Sequence, residues 1–135
     1  GYLPAPDLDE LVAVRDFINL KRDAILSSHD VSSGGLFAAL AEMSFGSGIG
    51  FHADISNVSS ARPTVKLFSE CGNGIVVEVP RNMEEEFMEG SGNVSVKRIG
   101  ETGGDRIIID EAGLNIINVP VEEIRDAWEH GLDKY

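Results

Sequence analysis

The stretch His29-Asp30-Val31-Ser32-Ser33-Gly34-Gly35-Leu36 is the part of the chain whose residue types and spacing say most about chemistry. It reads as a strand end, a tight loop and a helix opened by two glycines. Glycines let backbone approach a ligand closely. A helix start presents unpaired N–H groups and the positive end of the peptide dipoles, and together these suit an anion. Asp30, at the strand end, could hold a hard cation such as Mg²⁺ that bridges to phosphate oxygens, and Ser32 could add a hydroxyl. The pattern leaves a plainer alternative open: Ser32 or Ser33 caps the helix and Asp30 orders the loop. Two glycines at a helix start are a weak signal by themselves.

Two further stretches carry polar groups at turns. Leu67-Phe68-Ser69-Glu70, followed by Cys71-Gly72-Asn73-Gly74, reads as a helix end, a turn and a buried strand. Glu70 is either a carboxylate facing a ligand or, by default, a hydrogen-bonding partner beside the turn. Ile99-Gly100-Glu101-Thr102-Gly103-Gly104-Asp105 reads as a hairpin with a glycine bend. Cys71 is the single cysteine, so no internal disulfide forms, which suits a reducing compartment. With no basic neighbour to lower its pKa, it reads as a small residue beside a turn rather than a nucleophile. His52 falls on the polar face of a strand and His130 at a helix C-terminus. No Cys/His cluster has zinc-ligand spacing.

These groups need elements to hold them. Leu3-Pro4-Ala5-Pro6 reads as a linker, so residues 1–6 are expected to join an upstream domain and 7–135 to form one domain. Asp7 caps a helix running to about Arg22, with Leu8, Leu11, Val14 and Ile18 on its buried stripe and Phe17 on the flank. Residues 24–30 read as a strand. The helix opened by Gly34-Gly35 buries Leu36, Leu40 and Met43 and ends near Gly46. Residues 49–55 alternate at strand period, with Ile49, Phe51, Ala53 and Ile55 on one face. Pro63 opens a short helix through Leu67 and Phe68. Residues 75–79 form a strand stopped by Pro80. Asn82 caps a helix to about Glu89 that packs Met83, Phe87 and Met88. Residues 94–102, 106–110 and 114–119 read as three strands. Pro120 ends the last, and residues 121–131 close as a helix with Val121, Ile124 and Trp128 inward. Helices interleaved with short strands predict an α+β fold, helices layered on a mixed sheet. Leu36, Leu40, Phe51, Val77, Ile108 and Trp128 are the expected core markers.

Composition bounds the partners. The chain has 135 residues, 42% of them hydrophobic, enough for one domain with a real core. A formal net charge of −12 repels phosphate backbones, so nucleic acid is not an expected partner. No apolar run reaches membrane-spanning length, so no membrane contact is expected and the cytoplasm is the default compartment.

The motifs resemble one family. His29-Asp30-Val31-Ser32-Ser33-Gly34-Gly35-Leu36, with Ala39-Leu40-Ala41-Glu42-Met43 after it, is similar to the H-D-V-S-D-G-G-L…A-L-A-E segment of phosphoribosylformylglycinamidine synthases. It matches the second C-terminal-type domain of that family, an AIR synthase-related domain. Leu67-Phe68-Ser69-Glu70, with Gly74 and Val76-Val77-Glu78-Val79 following, resembles its L-F-S-E…G-x-x-V-V-E-V. Ile99-Gly100-Glu101 resembles its hairpin. Val121-Glu122-Glu123-Ile124-Arg125-Asp126-Ala127-Trp128-Glu129 resembles its closing helix. Thiamine-monophosphate kinase and selenophosphate synthetase share the loop's aspartate and glycines but not the pairing of these motifs. A stand-alone, non-catalytic binding domain is the reading from another class, and the linker-like start speaks against it.

The resemblance implies an ATP-dependent ligase of purine biosynthesis. It converts formylglycinamide ribonucleotide and glutamine-derived ammonia to formylglycinamidine ribonucleotide. It also implies ATP and Mg²⁺ as cofactors, held mostly by an N-terminal-type domain upstream. A glutaminase subunit and a small bridging subunit are the implied partners, with a homodimer as a further possibility. Asp30, Ser32, Gly34 and Gly35 are the implied cofactor-binding residues and Asp30 the metal ligand, at an auxiliary Mg²⁺–nucleotide site. No catalytic residue is carried over to this chain. Ser33 stands where the family usually has Asp or Glu, which removes one carboxylate from the loop.

Overall fold

The computed structural model describes residues 7–70 and 74–133. The linker expected at residues 1–6 and the turn residues Cys71, Gly72 and Asn73 lie outside the described residues. Among the described residues five α-helices are interleaved with six strands, the last three strands following one another directly. They are α1 Leu8–Lys21, β1 Ser27–Asp30, α2 Gly35–Phe45, β2 Phe51–Asp54, α3 Pro63–Phe68, β3 Ile75–Glu78, α4 Glu84–Met88, β4 Gly100–Thr102, β5 Arg106–Glu111, β6 Leu114–Pro120 and α5 Val121–His130. The strands make two sheets. β1 and β3 form an antiparallel pair, and the other four run β4-β2-β5-β6, with β2 and β5 parallel and the outer pairings antiparallel. The fold is therefore α+β with a mixed sheet, as the element pattern required.

Local chemistry explains several boundaries. The Asp7 side chain accepts from the Asp9 and Glu10 N–H groups at 3.0 and 3.1 Å, capping α1. Pro63 sits in the first turn of α3, where its missing N–H costs nothing. Pro120 ends β6 and α5 starts at the next residue.

The main core lies between α2, α3, α5 and the inner face of the four-stranded sheet. Leu36, Leu40, Phe51, Ile55, Leu67, Ile107, Ile109 and Val121 are buried there. A second, smaller cluster of Phe17, Ala24 and Phe87 joins α1, β3 and α4, with the Phe17 and Phe87 rings edge to face at 5.3 Å.

Several expectations are corrected. On α1 the buried residue is Phe17, not the stripe: Leu8 and Leu11 are exposed, and Val14 and Ile18 are half-buried. The small apolar cluster lies under the C-terminal half of α1, at Phe17 and Ile18, and leaves Leu8, Leu11 and Val12 exposed. In β5, Ile107 and Ile109 point to the helices and Ile108 to the other face, because side chains alternate along a strand. Val77 is half-buried, packing on the small cluster. Ile49 is exposed, since β2 begins only at Phe51.

Trp128 is 65% exposed. α5 docks through Val121 and Ile124, and beyond them its Trp128 ring meets Phe45 at the end of α2, at 5.8 Å. Asn82 does not cap α4. It lies within a 3₁₀ turn, Arg81–Met83, that precedes the helix, and Met88 is exposed. The strand expected at 24–30 shortens to Ser27–Asp30 behind another 3₁₀ turn, Arg22–Ala24. The strand expected at 94–102 shortens to Gly100–Thr102. Val94 and Val96 pack on the small cluster instead, and pairing with β2 starts where the Ile99 carbonyl accepts from Asp54 N–H at 2.7 Å.

Candidate functional site

Asp30 is the last residue of β1, and Gly34-Gly35 begins α2 four residues later, the arrangement expected for the loop. Gly34 is the residue preceding the helix, at φ 77° in the left-handed region, and Gly35 follows at φ 71°. Asp30, Ser32, Ser33 and Gly34 are exposed, while Gly35 is buried. The reason Gly35 carries no side chain lies in α3. A Cβ there would stand 2.6 Å from the Leu67 carbonyl oxygen and 2.9 Å from Phe68 Cα. The end of α3 thus packs directly on the start of α2.

That contact joins the two motifs. The Gly34 N–H donates to Glu70 Oε1 at 3.0 Å, across 36 residues of sequence. A carboxylate at the positive end of α2 is favourable in its own right. It also takes up one of the donors that the loop offers to an anion. The Gly35 N–H is used as well, donating to the Ser32 carbonyl at 3.0 Å. The sequence offered Glu70 as a turn partner or a ligand-facing group. It is a turn partner, and the turn it holds belongs to the other motif.

His29 ties the loop from the opposite side. Its Nδ1 contacts the Asp30 carbonyl at 2.7 Å and its Nε2 the Glu42 carboxylate of α2 at 2.9 Å. The Asp30 carbonyl first, and then the Glu42 carboxylate, raises the His29 pKa above its ordinary value, because both accept from the protonated ring. The Asp30 side chain itself is 72% exposed, 3.8 Å from His29 Nδ1. Asp30 and Ser32 are thus presented to solvent by a loop braced by His29 and Glu70.

α3 is seated by a residue that sequence reasoning passed over. Lys66 is buried, its side chain 3% exposed. Its ammonium donates to the Ile55 and Ser56 carbonyls, both at 3.0 Å, and to both oxygens of Glu111, at 2.9 and 3.2 Å. These partners follow β2 and end β5, so Lys66 pins the helix that delivers Glu70. The only signal in the sequence is a lysine flanked by Val65 and Leu67 in a short helix.

In the third motif, Gly100 lies against β2, where a Cβ would come within 2.2 Å of the His52 carbonyl oxygen. Glu101 accepts from Arg81 and Arg98, which hold its carboxyl below the usual range, Arg81 contributing most. His52 Nε2 meets Asp110 at 2.6 Å on the open sheet face. Asp110 is held below its ordinary pKa by Asn115 first and His52 second. Neither group adjoins the Asp30 loop in sequence or in strand pairing. Among the described residues no three His, Cys, Asp or Glu side chains gather as a metal-binding group. No helix among them is long and apolar enough to cross a membrane.

A small layered α+β domain with a braced, glycine-opened loop between β1 and α2 is the class that this geometry defines. Residues 6–111 match the family model described as AIR synthase related protein, C-terminal domain, and the chain belongs to that family. Over all 135 residues it is 73% identical to phosphoribosylformylglycinamidine synthase subunit PurL of Thermoplasma acidophilum and 59% identical to that of Thermoplasma volcanium. It spans 18% of the length of each of these relatives. Among solved structures, PurLQS from Thermotoga maritima superposes on 88% of this chain and 22% of its own, with a TM-score of 0.80 at 13% identity. Thermotoga maritima PurL complexed with FGAR gives 0.73 at 16% identity, over 89% of this chain and 21% of that one. At these identities the structural matches bear on the fold, which they share.

Proposed function

We propose that this chain works as the AIR synthase-related C-terminal domain of a PurL-type subunit of phosphoribosylformylglycinamidine synthase. Such a ligase uses ATP to convert formylglycinamide ribonucleotide and ammonia to formylglycinamidine ribonucleotide. The observation that carries the reading is the Gly34–Glu70 contact, which brings the two motifs most specific to that family to one place. The 73% identity over the whole chain to a PurL subunit supports it.

In this reading an N-terminal-type domain upstream supplies most of the ATP-binding groups. A glutaminase subunit supplies ammonia, a small bridging subunit completes the assembly, and the whole acts in the cytoplasm. Thermotoga maritima PurL complexed with ATP is a structural neighbour, which supports ATP as the cofactor. Bound Mg²⁺ would neutralise phosphate charge. The donor set here meets only part of its needs: Asp30 offers an exposed carboxylate and Ser32 a hydroxyl, and Gly34 N–H is already engaged by Glu70. The remaining ligands would come from phosphate, water or the rest of the polypeptide. What the chain's own residues do is positional: His29 and Glu70 hold the loop so that Asp30 and Ser32 stay presented, and Gly35 lets α3 close against it.

The Gly34–Glu70 bond also favours a second reading, in which the loop is a purely structural clasp and binds no nucleotide. The test of the main reading is complementation. The full-length gene containing this chain should restore purine-independent growth to a strain lacking its own PurL. A properly expressed gene product that leaves the strain auxotrophic would overturn the assignment.

A further inference from the structure

Between β3 and β4 lies a cavity of about 320 Å³ that the proposed function does not use. Among the described residues β3 pairs with β1 and β4 with β2, and the other edge of each has no strand partner. The two elements are linked by Thr102 Oγ1, which donates to Glu78 Oε1 at 2.9 Å. The walls are apolar where the two clusters approach each other: Leu40 and Met43 from α2, Phe51 from β2, Phe87 and Met88 from α4, and Ile99.

The charged groups that line this cavity differ in how they are partnered. Glu84 and Glu101 line it, but both are paired with Arg98, and Glu101 also with Arg81. Lys97 turns its ammonium to the Asn57 and Val58 carbonyls, at 2.9 and 3.0 Å. That leaves Glu78. It is half-buried, and among the described residues its two oxygens accept from neutral hydroxyls: Thr102 on Oε1 and Ser27 on Oε2, the latter at 3.0 Å. Among the described residues no cation neutralises it.

We infer that this cavity is a binding site for a small organic ammonium ion with an apolar body. The ammonium pairs with Glu78, whose carboxylate retains lone pairs beyond the two hydroxyl contacts. The apolar body lies between Leu40, Phe51 and Phe87. A partly desolvated carboxylate is costly without a counter-charge. A small anion meets that charge as repulsion, and a neutral apolar molecule leaves the carboxylate desolvated. The volume falls at the lower end of the range that small-molecule sites occupy, and the lining is mostly apolar, with Glu78 as its carboxylate without an ion-pair partner among the described residues. An occupant would touch both apolar clusters and tie β3 to β4. None of Asp30, Ser32, Gly34 or Gly35 lines the cavity, so its occupancy is independent of the loop reading.

The test uses the full-length subunit with ¹³C-methyl methionine. Met43 and Met88 line the cavity, and Met43→Leu and Met88→Leu assign their signals. The probes are 2-phenylethylammonium and, as a neutral match in shape, 2-phenylethanol, at neutral pH. The ammonium should move both methyl signals saturably and bind about ten-fold or more tightly than the alcohol, the worth of one hydrogen bond to a charged group. Folded Glu78→Gln protein should bind the ammonium no better than the alcohol. Because Glu78→Gln also alters the Ser27 and Thr102 contacts, the two-probe comparison in the unsubstituted subunit decides alone if that variant does not fold. Methyl signals that do not move, as when another part of the polypeptide fills the cavity, overturn the inference. So do equal affinities for the two probes, or an undiminished ammonium affinity in folded Glu78→Gln.

Discussion

Replacing Lys66 with Met should destabilise the domain by about 3 kcal/mol, the lower end of the cost of breaking a buried ion pair by removing one partner. The structure explains why the cost is substantial yet not maximal. Met retains most of the apolar stem, so the packing of α3 on the core changes little. The ammonium and all four of its contacts are lost. The Ile55 carbonyl lies in a buried setting and loses that donor. The Glu111 carboxylate, 17% exposed, recovers part of its solvation from water, which keeps the loss from the top of the range. Urea unfolding of the 135-residue chain measures this directly, with the midpoint falling and the slope unchanged. Adding Glu111→Gln should recover part of the loss, since it removes the stranded charge. A loss under about 1 kcal/mol for Lys66→Met would refute the claim that this lysine pins α3 to the sheet.

Three further outcomes follow from the same geometry. Gly35→Ala should cost more than about 2 kcal/mol, because it combines a left-handed backbone with a Cβ on the Leu67 carbonyl, and thermal unfolding would register it. His29 has a raised folded-state pKa, so its contribution is fully present below its unfolded value of 6.5 and fades as pH rises through the higher folded value. Stability measured from pH 5.5 to 8.5 should show that loss, and His29→Asn should remove it. In the full-length subunit, Asp30→Asn should preserve the fold and weaken Mg²⁺–ADP binding at the loop about ten-fold, a calorimetric readout. Equal affinity would leave the clasp reading standing.

Elements whose signals are local could be read from the chain. Asp7 as a cap, Pro63 as a helix opener and Pro120 as a strand stop need only their neighbours. The loop from Asp30 to Gly35 was legible for the same reason, since strand, turn and helix follow one another directly. What depended on distant partners was not. The stripe of Leu8 and Leu11 has the right period, but periodicity says nothing of whether a surface lies opposite. Trp128 has helical spacing with Val121 and Ile124, yet α5 outruns its support. Val94 to Ile99 alternates like a strand, but a strand needs an edge to pair with, and the sheet takes it up only from Gly100. The Glu70–Gly34 bond and the Lys66 clamp join residues far apart in sequence, so residue type alone could not announce them.

The central claim is that the chain belongs to a working PurL-type ligase, and turnover by the full-length subunit tests it most directly. Supplied with formylglycinamide ribonucleotide, ATP, Mg²⁺ and ammonium, the subunit with its expected partners should form formylglycinamidine ribonucleotide and one ADP per product. The same assembly with Gly35 replaced by Asp, which drives a side chain into Leu67 and parts the two motifs, should lose most of that rate. A folded, fully assembled complex that forms no product from these substrates would contradict the account.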